Sequence, residues 1–343
     1  MKNYSTFLML FMLTFVYFVP SLVNAQDEPL SEQIKNTIQH EAFTVNSIIQ
    51  TGFRYSLADD GFQGGRTFEL GNARISLRGN IDNGFYYRLF LNFAGEPNIL
   101  DAYIGYRVNS ALRLTLGAMK PKQSLDYIPS PASTDFIDRT RIAGLLVQSR
   151  ELGLSAEGDI GGLYYFAGLF NGNKHRAGNN NNKFYTIGRV QYRFRELFPG
   201  FLQLAVHGSY GNTPGVQAGN SGPLLFGKRT IMGADFRLET NDFLLAAEYL
   251  TGDLEIEKND AEQTETISGY YITSGYNISD KTMILGRWQN WSRKLDSTDD
   301  NQFTIGVNQG ITSITSLQFN FDSYYPNSGD TQYGLSFLLQ ITF

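Results

Sequence analysis

Apolar and polar residues alternate along most of the chain from about residue 46 onward. The segment YGLSFLLQITF has an apolar residue at every second position from Tyr333 to Phe343, and an earlier segment alternates Ala73, Ile75 and Leu77 with polar residues. Successive side chains of a strand point to opposite faces, so this pattern predicts strands with one apolar face. The alternating stretches run for about 9–13 residues, whereas strands in soluble sheets most often have about 5–6. Tilted membrane-spanning strands need about 9–11 residues, so the pattern favours membrane strands.

The links between the predicted strands alternate between short and long. Residues 81–84 form a short link and 56–67 a long one, and residues 252–266 are also predicted to form a long loop. Short turns on one side and longer external loops on the other are typical of outer-membrane barrels. We therefore predict an all-β fold, a transmembrane up-and-down antiparallel β-barrel of about sixteen strands, with both termini on the short-turn side. The predicted strands are 46–55, 68–80, 85–94, 100–108, 112–120, 150–158, 163–170, 184–193, 201–210, 229–238, 243–251, 267–276, 282–291, 302–308, 313–321 and 332–343.

The N-terminus has a different composition from the rest. Residues 1–25 carry one charge, Lys2, then an apolar run, and they end on the small-residue pattern Val23-Asn24-Ala25, which predicts a cleaved signal peptide. The alternative is an N-terminal membrane anchor, for which the run is short. Residues 26–44 would then form a short periplasmic segment and residues 45–343 the barrel, exported through the periplasm to the bacterial outer membrane.

Composition and charge limit the partners. The chain has 343 residues and no cysteine, which excludes a disulfide framework and thiolate metal sites. Without Lys2, its 28 basic residues become 27 against 33 acidic ones, a net charge of −6 that argues against nucleic acid. Aromatic residues near the predicted strand ends fit the interfacial girdles of a membrane barrel. They are Phe85, Tyr86, Tyr87, Tyr164, Tyr165, Tyr270, Tyr271, Tyr324 and Tyr325.

Several segments resemble the phosphate-selective porin O and P family. They are FELGNARISLRGNIDNGFYYRLFLNFAG, LDAYIGYR, LRLTLGAMKPKQSLDYIPSPASTDFIDR, RELGLSAEG and YYFAGLFNGN, and the resemblance is clearest over about residues 68–195. It implies a homotrimeric porin of sixteen strands, a constriction formed partly by the third external loop, and an arginine-lined path for anions such as phosphate or polyphosphate. The chain departs from the family in one respect, because only residues 26–43 precede the first strand, where known members carry a longer coiled-coil segment.

The alternation also predicts which charged residues face the lumen. On each strand the apolar positions face lipid, so the opposite positions face inward. Inward acids are fewer than inward arginines, so we predict an anion path, although the arginines could instead pair with acids and brace the wall. Arg107 should lie opposite Arg113, and Arg78 near Arg88, an arrangement of like charges that is destabilising unless an acid or a bound anion compensates it. The arginines predicted to line the pore are Arg74, Arg78, Arg88, Arg107, Arg113, Arg189 and Arg193.

The third external loop, at about residues 121–148, is the longest link and is predicted to fold into the bore. It is stiffened by Pro121, Pro129 and Pro131 and carries apolar residues that would be costly to leave in water. Its basic residues Lys120, Lys122, Arg139 and Arg141 would bring positive charge to a constriction.

The function predicted from these features is passive diffusion of small inorganic or organic anions. The alternative is a barrel plugged by its loops that acts as an adhesin or structural protein. We predict no enzyme activity, no cofactor and no metal site, and we interpret His207 and Ser209, on one strand face, as polar residues of the lumen wall. Outer-membrane lipid and lipopolysaccharide would be the surrounding partners.

Overall fold

The computed structural model describes residues 39–40, 43–58, 65–175, 178–194 and 199–343. The predicted signal peptide lies outside the described residues, as does most of the predicted periplasmic segment. In the described part of the chain, no helix has the length and apolarity to cross a membrane.

Sixteen strands make up most of the described chain, at positions close to those predicted. They are β1 (Phe43–Ser56), β2 (Arg66–Asn80), β3 (Phe85–Asn92), β4 (Asn98–Asn109), β5 (Leu112–Met119), β6 (Glu151–Ile160), β7 (Leu163–Phe170), β8 (Tyr185–Phe194), β9 (Gly200–Asn212), β10 (Leu225–Thr240), β11 (Phe243–Lys258), β12 (Ala261–Ser279), β13 (Thr282–Arg293), β14 (Thr298–Gly310), β15 (Thr315–Tyr325) and β16 (Gln332–Thr342). A further two-residue strand, Gln39–His40, pairs with β1.

Each strand pairs antiparallel with the next in sequence, and the last pairs with the first. In that closing pair Phe337 lies opposite Phe53, and the amide of Ser47 donates to the carbonyl of Phe343 (2.6 Å). Closure leaves no sheet edge unpaired, which a strand structure in lipid requires because no water is present to satisfy the backbone. The predicted closed barrel of sixteen antiparallel strands is confirmed.

The two faces of the wall differ as the alternation predicts. Outward positions are apolar and exposed, as at Phe68, Leu116 and Val206. Inward positions are polar and mostly buried, as at Ser76 and Thr115. Outward aromatic pairs cluster where strands meet the short turns, including Phe85 with Tyr106, Tyr192 with Phe194, and Phe243 with Tyr276. We call this the short-turn end and the opposite one the long-loop end.

The prediction of a long loop at residues 252–266 is wrong. The ladder between β11 and β12 continues to the pair Lys258 and Ala261, so these strands form a tall hairpin at the long-loop end. The cause is that the inward face of this hairpin is apolar. Leu254, Ile256 and Ile267 are buried there in an apolar cluster and do not face a water-filled lumen. An acid-rich segment can therefore remain a strand, because most of its acids point outward and its apolar residues pack inside. The exception is Glu265, which is buried and lies 3.5 Å from Arg293 Nη2.

The partner of that cluster comes from the β5–β6 loop, residues 120–150, the longest link between described strands. This loop contains a one-turn 3-10 helix, Pro131–Ser133, and a short helix α1, Arg141–Leu146. Ile142, Ala143 and Leu146 of α1 are fully buried against the inward faces of β10 to β13. The loop therefore lies against the inside of the wall, on the side opposite to the strands from which it starts.

Candidate pore and anion-binding site

A cavity of about 950 Å³ lies inside the barrel between the β5–β6 loop and the short-turn end. Of the described residues that line it, nine are basic and three are acidic. Five of the predicted pore arginines are among them, together with two of the predicted loop lysines: Arg78, Arg88, Arg107, Arg113, Arg193, Lys120 and Lys122. The structure thus brings most of the predicted residues into one basic chamber.

Two short turns position the arginine pairs of this chamber. The first turn uses the left-handed backbone of Asn83 (φ 64°) and Gly84 (φ 86°) to join β2 to β3. Arg78 then lies directly opposite Arg88 in the ladder. The second turn is capped by the Asn109 side chain, whose Oδ1 accepts from the amide of Ala111 (2.9 Å).

Across that second turn, Arg107 lies directly opposite Arg113. The predicted pairing of like charges is therefore confirmed at both turns. Opposed like charges destabilise a ladder, so each pair needs a compensating negative group.

Only part of that compensation comes from the wall. Arg150 Nε donates to Asp101 Oδ1 (2.8 Å), and Arg88 Nη1 lies 3.4 Å from Asp101 Oδ2. Arg113 Nη2 lies 3.1 Å from Glu157 Oε1, and these two residues are cross-strand neighbours.

Three other cations of the chamber have no such partner among the described residues. Within the described part of the chain, no hydrogen bond or ion pair engages the side chains of Arg78, Arg107 or Lys122. Lys122 interacts electrostatically with the ion-paired residues described above. The charges that act on it are those of Glu157, Arg88, Asp101 and Arg113. A basic excess therefore faces the cavity.

The two lysines at the entrance of the loop differ in their surroundings. Lys120 Nζ donates to the carbonyls of Tyr127 (2.6 Å) and Pro129 (2.9 Å), which hold the loop in a tight turn. Burial, with the nearby charges of Arg139 and Arg150, lowers the pKa of Lys120 to about 6. Burial also lowers the pKa of Lys122 below its usual range, while Glu157 acts in the opposite direction.

A second cavity, of about 500 Å³, lies on the other side of the β5–β6 loop. Arg74, Arg139 and Arg141 line it, so these three predicted residues do not share the first chamber. Arg74 Nε is buried without a hydrogen-bond partner in the described structure. Arg139 Nη2 donates to the carbonyl of Pro129 (2.9 Å), and its guanidinium lies 4.8 Å from the centre of the Tyr127 ring.

Arg189, the remaining predicted pore arginine, lines neither of the two cavities. Its guanidinium binds both oxygens of Asp235 (2.7 and 2.8 Å) and donates to the carbonyl of Gln123 in the loop (3.0 Å). It is 1% exposed, so the structure places it between the loop and the wall.

A buried polar cluster continues from this point. His207 Nε2 lies 3.0 Å from Glu248 Oε1 and 3.7 Å from Asp235 Oδ2. The other Glu248 oxygen accepts from Ser124 Oγ (2.8 Å), and Oε1 also accepts from the amide of Leu125 (3.1 Å). The three side chains could offer ligand atoms to a metal, since these atoms lie within 4.8 Å of one another. Their oxygens, however, already accept from Arg189 and from the loop, so the cluster serves to hold the loop on the wall.

Further contacts attach the loop to other parts of the wall. Arg237 binds both oxygens of Asp135 (2.9 and 3.1 Å), and Arg54 binds both oxygens of Asp138 (2.5 and 2.9 Å). Phe136, between these two aspartates, is 1% exposed and packs with Leu125, Leu244, Ala246 and Leu285. Bidentate charge-assisted pairs are strong and directional, so they define the position of the loop as well as stabilising it.

The closed barrel of sixteen strands, with a loop attached across its interior, is the architecture of outer-membrane porins, and the outer membrane is the location of this chain. The model of the family "Phosphate-selective porin O and P" matches residues 43–194, which confirms the resemblance predicted from the sequence. No sequence relative among curated proteins matches the chain.

Solved structures share the fold at low sequence identity. An anion-selective porin from Comamonas acidovorans is 15% identical, with a TM-score of 0.67 over 88% of this chain and 99% of that chain. OmpT of Vibrio cholerae is 11% identical, with a TM-score of 0.65 over 89% and 99%. The channel DcaP of Acinetobacter baumannii is 9% identical, with a TM-score of 0.64 over 88% and 97%.

Proposed function

We propose that this porin is a passive diffusion channel for small anions. The observation that carries the proposal is the charge imbalance of the chamber, where Arg88, Arg113, Arg150 and Lys122 share two carboxylates, Asp101 and Glu157. A bore with low-dielectric walls focuses this excess and raises the local anion concentration. Guanidinium groups suit oxyanions because their fork of donors matches carboxylate or phosphate oxygens.

The β5–β6 loop is the proposed constriction. It separates the two cavities, and its basic residues Lys120, Lys122, Arg139 and Arg141 are distributed between them. An anion crossing the barrel would pass from one basic chamber to the other along this loop.

Three finer features belong to the same proposal. Phosphate or polyphosphate is the anion that the family name supports, although a basic chamber also suits carboxylates and sulfate. A homotrimer is supported by the trimer form described for OmpT, which shares this fold. Lipopolysaccharide and outer-membrane lipid would surround the wall, whose outward side chains are apolar.

The zero-current potential across a salt gradient in planar bilayers tests the proposal. We expect the wild type to prefer anions and the triple variant Arg78→Gln/Arg88→Gln/Arg113→Gln to lose a large part of that preference. A matched control is Arg66→Gln, which removes an arginine that lines neither chamber.

Three results would count against the proposal in different ways. A cation-selective wild type would refute it. If the wild type prefers anions and the triple variant has the same preference, the residues that determine selectivity would be those of the loop. A barrel that inserts but gives no stable current steps would favour the alternative of a plugged adhesin or structural barrel.

A further inference from the structure

The 950 Å³ chamber is not uniformly polar. Its basic residues face an apolar surface formed by the underside of the loop and by inward aromatic side chains of β4 and β7. The residues of this surface are Tyr103, Met119, Leu125, Ile128, Tyr164 and Phe166. A path for a hydrated inorganic ion does not require such a surface, because apolar groups make no polar interaction that would compensate the ion for the loss of its hydration.

Aromatic and basic groups alternate closely within the chamber. Tyr103 is the direct cross-strand neighbour of Arg88, and Phe166 that of Glu157, the partner of Arg113. The Tyr164 hydroxyl donates to Glu157 as well. Cross-strand neighbours are about 5 Å apart, so the Tyr103 ring lies beside the Arg88 cation. The Tyr164 and Phe166 rings lie beside the carboxylate that binds Arg113.

The local backbone keeps these rings in the chamber. Tyr86 lies across Gly105, where any β-carbon would overlap the ring at 2.1 Å, and it meets the Tyr103 ring edge to face at 6.3 Å. Tyr103 and Tyr164 also pack against the buried cluster of Met119 and Phe166. The rings are therefore supported from behind, and the surface they present to the chamber is preformed.

From this arrangement we propose that the chamber is a binding site for organic anions that carry a planar apolar ring, such as aromatic carboxylates. The inference rests on the proposed anion channel and adds a substrate class to it. The carboxylate would occupy the basic excess at Arg88 and Lys122, and the ring would stack on Tyr103 and Tyr164. The volume suits this class, because sites for small organic ligands have roughly 300–1,000 Å³ and combine apolar lining with a few oriented polar groups.

Benzoate and acetate provide the test, since both are monocarboxylates and only benzoate carries a ring. The measurement is the reduction of chloride current through single channels in planar bilayers as each anion is added. We expect benzoate to reduce the current at a concentration about tenfold lower than acetate, because ring stacking and apolar burial add to the shared carboxylate contact.

Variants of two tyrosines on one strand locate the effect. Tyr103→Ala should raise the benzoate concentration needed for inhibition close to that of acetate, whereas Tyr103→Phe should keep the difference between the two anions. Tyr106→Ala is the matched control, because Tyr106 lies on the same strand with its ring packed on Phe85 at the outer wall. It should behave as the wild type.

The outcomes separate this inference from the proposed function. Equal inhibition by benzoate and acetate in an anion-selective wild type would overturn the ring site and leave the anion channel standing. A difference that survives Tyr103→Ala would overturn the placement of the ring at β4. A wild type without anion preference would overturn both.

Discussion

At the scale of single residues, the two lysines at the start of the β5–β6 loop have different roles. Lys120 is fixed by two backbone carbonyls, whereas Lys122 has no hydrogen-bond or ion-pair partner among the described residues. An amine held in this way can donate both hydrogen bonds without a charge. Lys120 can therefore lose its proton near neutral pH while the loop keeps its conformation.

The first prediction concerns the pH dependence of selectivity. The pKa of Lys120 is lowered to about 6, so the side chain is neutral at pH 7.5 and gains a positive charge as the pH falls through 6. The anion preference should therefore be larger at pH 5 than at pH 7.5. The measurement is the zero-current potential at both values, for the wild type and for Lys120→Met.

Lys120→Met separates this step from any titration of the carboxylates in the pore. It should match the wild type at pH 7.5 and lose the increase at pH 5, whereas Lys120→Arg should show high preference at both values. An equal increase in Lys120→Met would assign the step to the carboxylates. The lowered pKa of Lys120 also affects the stability of the fold. Between about pH 6 and 10.5 the unfolded state binds this proton and the folded state does not, so the free energy of unfolding falls as the pH is lowered through that range.

Sequence reasoning reached the direction of most side chains but not their partners. Alternation placed Arg107 opposite Arg113 and Arg78 near Arg88, since strand geometry determines the face of each side chain. It could not show that Arg189 is enclosed by Asp235 and the loop, because that contact joins residues remote in sequence. Arg150, at the end of the loop, was missed for the same reason.

At the scale of elements, Phe136 is one of the apolar anchors that hold the β5–β6 loop on the wall. The Phe136 ring lies under the Arg287 guanidinium, 4.4 Å from its centre, and closes an apolar cluster inside the wall. The loop's apolar composition indicated inward folding. Its exact contacts could not be derived, because they depend on which inward positions of β11 and β13 are apolar at that height.

The second prediction is that Phe136→Ala releases the loop and leaves the barrel intact. Removal of a buried aromatic ring costs about 3–5 kcal/mol, and this loss falls on the loop because the strands keep their ladders. We expect larger fluctuations of the open-channel current and faster protease cleavage within residues 120–150. Phe68→Ala, which removes an exposed outward ring, is the control.

A quiet current in Phe136→Ala, with the protease resistance of the wild type, would contradict this assignment. The two bidentate pairs at Asp135 and Asp138 would then be sufficient to hold the loop.

At the scale of the whole molecule, overall charge and chamber charge have opposite signs. The chain has a formal net charge of −5, yet nine basic and three acidic residues line the larger cavity. Many acids lie instead at the long-loop end, as do Asp253, Glu257 and Glu262 on the tall hairpin. Composition alone would therefore have given the wrong sign for the charge of the chamber, whereas alternation and barrel closure together predict the basic lining that the structure has.

The third prediction is that the anion preference weakens as salt increases. In the proposed channel the chamber selects ions mainly through its electrostatic field, and the screening length falls from about 10 Å at 0.1 M salt to about 3 Å at 1 M. Zero-current potentials measured at a constant concentration ratio should therefore give a lower anion-to-cation permeability ratio at higher mean salt. A ratio that does not change with salt would indicate selection by direct contact at a narrow point.

The attachment of the β5–β6 loop to many strands has a mechanical consequence. A cylindrical shell one sheet thick deforms most easily by flattening its cross-section into an ellipse. The loop is bound by strands on opposite sides of the shell and therefore links them across the interior. The residues that bind it are Gln50 and Arg54 of β1, Arg237 of β10 and Gln318 of β15. Lateral pressure from the surrounding bilayer would have to stretch these connections before it could change the aperture. The shape of the opening is thereby protected from the state of the membrane around it.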